Sequence, residues 1–480
     1  MTDSEPYITD IGIAIAGSVD SGKSTFVGVL TSDELDNGNG SARVGVAKHP
    51  HEIQSGKTSD ISSRHFVIPE TKRAITLFDL CGHEKYFKTT AYGVSGCFPD
   101  YSFVIVGANR GILTMTKQHF TLLLSMNIPI VILVTRIDIC PKDSYDLTLK
   151  QIEKYCKDII KIPAEFVNNY FNDEHLKDDW IQTKLESLNK SLDLSQSMKQ
   201  PFIPVISISN KTGYYVNFVK NMIKNLTPRN LWGSNQDNRI YTKFTTNMDK
   251  QFFNPNSKKP NFISAYYIDG VYTPPGIGIV VTGINRGEDL NVGDTVYIGP
   301  INKEFKEIKI RSINNDFRQK IQSLKNHHRG TIAITGDKEF MTRNFIKRGL
   351  VIVKNKDIVK TNLCYRFNAG ITIFNHSTTL KNDYTPILQI GNIRQSARML
   401  IDPKLNNEKD TICCREYAYV TFKFKYKPEL IEQNQIFIFR SGHVHGVGVI
   451  LDILPMSEDA DAKPDPEKNR KYRVKKVVKN

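Results

Sequence analysis

Apolar positions in the first half of the chain gather into short, nearly continuous runs. They are Ile11–Ala16 (broken only by Gly12), Ala74–Leu80, Tyr101–Gly107, Ile128–Val134 and Phe202–Ile208. Runs of this length, apolar on both faces, predict strands buried on both sides. Between them Lys117–Met126, Tyr145–Ile160 and Tyr214–Leu226 carry helical spacing. Strands alternating with helices predict an α/β domain built on a parallel sheet covered on both faces. Asp173–Gln200 is polar with leucines at helical intervals, and predicts a helical insertion before the last strand. Past Thr227–Pro228 the texture changes. Asn230–Pro260 is rich in Asn, Lys and Gln and reads as linker. Then follow short β-branched or alternating runs: Phe262–Tyr267, Gly278–Val281, Asp294–Ile298, Glu307–Ile313, Thr331–Ile334 and Leu350–Val353, with turns at Pro274–Pro275–Gly276 and Asn291–Val292–Gly293. A second series comprises Leu363–Phe367, Ile371–Phe374, Thr385–Ile390, Ala418–Phe424, Ile436–Phe439 and Val447–Ile453. Each series has the spacing of a small antiparallel β-barrel. The expected division is an α/β domain over 1–228 with an insertion near 163–200, a linker over 229–258, β-barrels over 259–356 and 357–455, and a charged tail over 456–480.

Size agrees with several domains, since 480 residues exceed the ~250–300 that one core serves. No apolar run approaches the ~18–20 residues needed to cross a bilayer. Met1–Asp10 carries Asp3, Glu5 and Asp10 and no basic residue, which argues against a signal or transit peptide and leaves the cytoplasm as the expected location. The seven cysteines form no Cys-x-x-Cys pair and read as reduced thiols; Cys413–Cys414 is expected within a strand, its side chains on opposite faces. The formal net charge of +15 favours anionic partners, RNA before others, although richness in Lys, Asn and Ile alone raises it. The tail divides into an acidic stretch, Ser457–Pro466, and a basic one, Lys468–Lys479, which would be disordered when free and could grip RNA or direct nuclear import.

Gly17-Ser18-Val19-Asp20-Ser21-Gly22-Lys23-Ser24 fits the P-loop pattern G-x-x-x-x-G-K-[ST], and its context is the required one: the strand Ile11–Ala16 before, the apolar segment Thr25–Leu30 after. Such a loop turns backbone N–H groups toward phosphate oxygens and adds a helix N-terminus. Lys23 supplies a point charge to the β- and γ-phosphates, and the Ser24 hydroxyl can ligate Mg²⁺.

Downstream motifs select the nucleotide. Asp79-Leu80-Cys81-Gly82 ends a strand, where a carboxylate reaches the Mg²⁺ shell through water and Gly82 lets its N–H approach the γ-phosphate. Thr135-Arg136-Ile137-Asp138 stands where a guanine-reading N-K-x-D belongs. Asp138 can accept from guanine N1–H and the exocyclic amine, donors adenine does not offer. Thr135 cannot give the base an amide, whereas Arg136 can still cover it with a flat head. Ser209-Asn210-Lys211 follows the last strand, where backbone amides meet the guanine oxygen. A hydroxyl that closes on Mg²⁺ and the γ-phosphate is expected in Lys57-Thr58-Ser59; Thr58 is the first choice, with Ser59, Thr71 and Thr76 as competitors. His83, directly after Gly82, can orient the attacking water. His443-Val444-His445 could present a metal pair on one strand face, but no further ligand lies nearby in sequence, and a structural or RNA-facing reading is preferred.

With these motifs in order the chain resembles the elongation factor Tu class of translational GTPases. Gly17–Thr25 is similar to that class's G-H-V-D-x-G-K-[ST]-T loop, Asp79–Glu84 to its D-x-P-G-H-E, and Pro275–Gly283 to the first strand of its second domain. Gly56–Ser59, Gly82–Thr90 and Thr135–Pro141 resemble the branch of the eukaryotic GTP-binding proteins one and two, and Gly391–Gln395 and Phe439–Ile450 extend the likeness through the third domain. The resemblance implies a P-loop G domain followed by two antiparallel β-barrels, binding of GTP, GDP and Mg²⁺, and hydrolysis stimulated by the ribosome or a similar partner. It further implies tRNA or other RNA as a ligand, an exchange factor as a candidate partner, no membrane, and a monomer. Cys81 in place of proline, with Thr135 and Arg136, points to the side branch and away from plain elongation activity. The alternative reading is a GTP-gated adaptor in RNA quality control or virus–host interaction with little turnover, motivated by the insertion and the tail.

Overall fold

The structure, a computed structural model, describes residues 6–46, 61–172, 178–193, 200–228, 263–375, 379–406, 408–414, 416–441, 444–460 and 463–464. Thr58, the linker over 229–258, His443 and most of the tail lie outside these residues. By packing, the chain falls into two compact units, one within Met1–Ile240, Ser264–Val296 and Ile308–Ile352, the other within Tyr241–Ile263, Tyr297–Glu307 and Val353–Asn480.

The α/β domain carries strands β1 (Ile8–Gly17), β2 (Ser62–Ile68), β3 (Arg73–Asp79), β4 (Tyr101–Gly107), β5 (Ile130–Thr135), β6 (Ala164–Phe166) and β7 (Ile203–Ser207). Its helices are α1 (Lys23–Ser32), α2 (Ser41–Val44), α3 (Phe87–Cys97), α4 (Thr114–Ser125), α5 (Lys142–Tyr155), α6 (Asp178–Leu192) and α7 (Val216–Lys224). The sheet order is β2-β3-β1-β4-β5-β7-β6. β4 is buried at every position, as a strand covered on both faces must be. In α5, Tyr145, Thr148 and Ile152 form the buried stripe; the helix starts earlier than its apolar pattern indicates and ends in a five-residue π-turn, Cys156–Ile160.

Two edge strands were not expected from the apolar runs, and one of them breaks the parallel pattern. β2 runs antiparallel to β3 along an edge; it carries Ser62, Ser63, Arg64 and His65, so its sequence lacks an apolar run. β6 adds a short parallel edge strand beside β7, within the stretch expected to be an insertion. α6 supplies the helix foreseen there.

Past residue 262 the structure has two closed antiparallel barrels. The first ring contains β8 (Ala265–Tyr272), β9 (Ile279–Asn285), β10 (Thr295–Ile301), β11 (Glu304–Asn314), β12 (Arg329–Gly336) and β13 (Val351–Val353), in the order β10-β13-β8-β9-β12-β11, closed by β10–β11 pairing. The second contains β14 (Leu363–Asn375), β15 (Ile387–Ile390), β16 (Ile393–Ile401), β17 (Tyr417–Phe424), β18 (Ile436–Ser441) and β19 (Val444–Pro455), in the order β17-β16-β15-β18-β19-β14, closed by β14–β17 pairing. Its core is aromatic: Phe437 stands edge-on to Phe367 and Phe422, with ring centroids 5.7 and 5.6 Å away.

Three readings of the second barrel are corrected. Leu363–Phe367 and Ile371–Phe374 are one strand, β14, which absorbs Asn368 at a register shift opposite β19. β16 is a full strand where the sequence shows only the Gly391–Gln395 motif. Cys413 and Cys414 lie in a turn between Thr411–Ile412 and β17. The Glu416 carboxylate accepts from Cys413 N–H at 2.9 Å, and Cys413 O accepts from Glu416 N–H, so the side chain closes a turn where the composition indicated a strand.

Candidate functional site

β1 pairs with β3 on one side and β4 on the other, so chain direction across the sheet reverses at β1. Ligands of open α/β sheets bind at the carboxyl ends of strands at such a point. Register brings the motif residues to that edge: Ile15 stands opposite Asp79, Gly17 opposite Ile105, and Gly107 opposite Thr135.

The P-loop leaves β1 at Gly17, whose φ is +139°. A Cβ there would lie 2.4 Å from Ile105 O, so only glycine fits. Ser18 O accepts from Ser21 Oγ at 2.9 Å and from Lys23 Nζ at 2.8 Å. Burial lowers the Lys23 pKa, opposed by the charges of Asp79, Cys81 and Asp20. A buried ammonium of this kind calls for an anion as counter-charge. Ser24 Oγ donates to Asp79 Oδ2 at 2.6 Å, which joins the two residues expected on the metal side. A Cβ on Gly82 would lie 2.5 Å from Lys23 Nζ, so the absence of a side chain keeps the space beside that ammonium open. Leu80 and Cys81 are buried beneath, and Thr90 Oγ1 donates to Cys81 O at 2.9 Å.

His83 is half-buried, and its Nδ1 accepts from Lys85 N–H at 3.1 Å. The neutral ring therefore carries its proton on Nε2 and acts outward as a donor. Val19, Asp20, Gly22, Lys23, Ser24, Thr25, Gly82, His83 and Arg136 line one pocket, which brings P-loop, switch and base-loop residues together. Asp20 faces Arg110 at 3.6 Å.

Thr135 Oγ1 donates to Ser21 O at 2.6 Å. The hydroxyl thus ties the base-reading loop to the P-loop. Arg136 is left-handed, with φ +60°. Ile137 is buried and anchors the turn that carries Asp138. Asp138 Oδ1 accepts from Ser209 Oγ at 2.8 Å, and Ser209 Oγ in turn accepts from the N–H groups of Lys211 and Thr212 at 3.3 and 3.1 Å. This chain of hydrogen bonds fixes Oδ1 of the carboxylate. Asn210 O accepts from Asp36 N–H at 2.9 Å. Of the competitors to Thr58, Thr71 ends the turn between β2 and β3 and Thr76 sits within β3; neither lines the pocket.

Two residues emerge only from the structure. His119 Nδ1 accepts from Gly17 N–H at 2.9 Å from a fully buried position; burial, then the Lys23 charge, lowers its pKa to about 3. Its sequence signal is a histidine on the apolar face of α4, with Thr116, Phe120 and Leu123 at helical spacing. Arg43, in α2, also lines the pocket. Among the described residues no group of three or more His, Cys, Asp or Glu could hold a metal ion by itself. No helix of the described residues is long and apolar enough to cross a membrane.

Residues 10–229 match the family of the elongation factor Tu GTP binding domain. The chain is 29% identical over 493 residues to GTP-binding protein 1 of Xenopus laevis, covering 97% of this chain and 67% of that protein. It is 29% identical over 471 residues to GTP-binding protein 2 of Homo sapiens, covering 94% and 70%. Among solved structures, bacterial selenocysteine-specific elongation factor EF-Sec matches with a TM-score of 0.59 at 16% identity, over 95% of this chain but only 60% of that one. Elongation factor SelB from Methanococcus maripaludis, in complex with the GTP analogue GPPNHP, matches with a TM-score of 0.57 at 21% identity, over 94% and 81%. At these identities the structural likeness shows the fold. The chain is a GTPase: residues 10–229 form an elongation factor Tu GTP binding domain, and over nearly its whole length the chain is similar to GTP-binding proteins 1 and 2.

Proposed function

We propose that the chain hydrolyses GTP to GDP and phosphate as a conformational switch, and that the switch acts on tRNA or the ribosome. The reading rests chiefly on one pocket lined by Lys23, Ser24, Gly82 and His83. Asp138 is held by Ser209 at the same sheet edge. The backbone of 17–25 receives the phosphates, and Lys23 meets their charge. Ser24 and, through water, Asp79 would hold Mg²⁺, with Thr58 as the closing hydroxyl; the convergence of Ser24 Oγ and Asp79 Oδ2 fits this pair to a hard cation. Bound there, the ion would neutralise charge between the β- and γ-phosphates. His83 donates from Nε2 and orients the attacking water. Asp138 reads guanine, Arg136 covers the base, and the amides of 209–211 meet its oxygen.

In this reading 1–228 is the switch, 259–356 and 357–455 are the barrels it governs, and one chain with an exchange factor is the working unit. RNA is favoured by the +15 charge, by the class, and by relatives whose printed names include selenocysteine-specific elongation factor and elongation factor 1-alpha. GTP hydrolysis by the purified chain, measured with and without ribosomes and aminoacyl-tRNA, tests it. Stimulation is expected. A rate unmoved by either, with crosslinks in cells to mRNA or decay machinery alone, favours the adaptor instead.

A further inference from the structure

Arg43 reaches the pocket on a segment built to hold it still. Asp36, itself buried, accepts from Gly38 N–H at 2.9 Å, Gly40 N–H at 3.2 Å, Ala42 N–H at 3.0 Å and Ser41 Oγ at 3.4 Å. One carboxylate thereby gathers the turn that starts α2. The backbone of α2 lies against α1 so closely that a Cβ on Gly28 would fall 2.1 Å from Ala42 O. On its far side Arg64 Nη2 donates to Gly45 O at 2.9 Å and to Val46 O at 3.2 Å. The Arg43 side chain runs over Gly40, whose φ is +84° and where a Cβ would lie 2.9 Å from Nε, so a side chain there would push the arginine aside.

Arg43 is half-buried and lines the pocket with Lys23, Ser24, Gly82 and His83. Among the described residues no carboxylate pairs with it. A half-buried cation that lines the pocket with the phosphate-binding residues, on a backbone held by Asp36 and Arg64, is placed to meet anionic charge.

We infer that Arg43 is a catalytic cation supplied in cis, which contacts the phosphates and stabilises the charge that develops during GTP hydrolysis. The inference rests on the pocket being the GTP site. In the reaction the water oxygen forms a bond to the γ-phosphorus, and the bond from that phosphorus to the β–γ bridging oxygen breaks. The electron pair leaves on the β-phosphate of GDP. One water proton stays on the phosphate product and the other passes to solvent. Negative charge shifts toward the bridging oxygen and the equatorial γ-oxygens, where a planar guanidinium can donate two hydrogen bonds. His83 addresses the water, whereas Arg43 addresses the phosphoryl oxygens. The two roles are distinct.

Arg43→Ala, Arg43→Gln and Arg43→Lys compared with the full wild-type chain provide the test. Binding of a fluorescent GDP analogue reports folding and ground-state affinity, and should change by less than about threefold. Formation of the GDP–aluminium fluoride complex, a mimic of the transferring phosphoryl group, should be lost in Arg43→Ala and Arg43→Gln. Single-turnover hydrolysis without any partner should fall on the order of 10²-fold or more in both, with Arg43→Lys recovering only part of it. Hydrolysis within about twofold of wild type would overturn the inference. So would a parallel loss of GDP affinity, complex formation and rate, which marks a ground-state or structural contact. Failure of the wild-type chain to bind GTP would instead remove the reading of the pocket itself.

Discussion

Thr135 occupies the position from which this class usually offers the base an amide, and its hydroxyl spans inward to Ser21 O at 2.6 Å. The residue's use is therefore structural: it fixes the P-loop relative to Asp138. Thr135→Ala leaves a buried carbonyl without that donor, at a cost of about 1–2 kcal/mol. GDP and GTP affinity should fall together, by roughly 5–30-fold on titration calorimetry, with the guanine-to-adenine preference unchanged. On the proposed reading selectivity rests elsewhere, on Asp138 held by Ser209. The motif residues at this scale were legible in sequence, because strand ends and loop spacing constrain them tightly. Arg43 and His119 were not. Each lies at the site through a fold that brings distant segments together: no local spacing marks an arginine after Gly40, and the helical spacing around His119 marks a buried face without saying what it meets.

β16 shows why an element can escape a sequence reading. Its buried positions alternate strictly from Ile393 to Ile401, but one of them is Gln395. That amide is fully used: Oε1 accepts from Tyr426 and Lys427 N–H at 2.8 and 2.9 Å, and Nε2 donates to Lys427 O at 3.1 Å and Glu429 Oε1 at 2.8 Å. A polar residue with every bond satisfied inside looks, in sequence, like a break in the strand. β2 escaped for a related reason, since Arg64 and His65 interrupt its alternation, whereas β4 and β5 were plain because both their faces are apolar. Glu429 shares the Gln395 network, and burial pushes its pKa up to about 7 despite Lys427 at 3.3 Å. Because the folded value exceeds the ordinary 4.5, its contribution to stability is complete below about 4.5 and is lost as pH rises through about 7. Urea unfolding at pH 5 and pH 8 should show this loss, on the order of 2–3 kcal/mol, and Glu429→Gln should remove it.

Within the first compact unit, the α/β domain and strands of the first barrel meet around Arg329. Its guanidinium pairs with Asp269, lies 5.4 Å from the centroid of Phe78, and donates to Cys97 O at 3.5 Å. Phe78 precedes Asp79, and Cys97 ends the helix that follows His83, so one cation touches both elements that flank Asp79–His83. Burial opposes its charge, but Asp269 and Asp316 outweigh that and hold its pKa above the usual value. Arg329→Ala strands Asp269, which keeps 24% exposure, so a loss of about 2–3 kcal/mol is expected in thermal unfolding, less than the ~3–5 kcal/mol of a fully buried pair. The architecture of α/β domain and barrels was readable from texture alone, whereas this junction joins residues some 60 to 250 positions apart and has no sequence signature. On the proposed reading, His83 links the pocket to partner-stimulated turnover. Single-turnover GTP hydrolysis by wild-type and His83→Ala chains at saturating ribosomes tests that link directly. The expected result is a stimulated rate lower by roughly 10²–10³-fold in the variant, with GDP affinity unchanged; a variant stimulated as fully as wild type would contradict it.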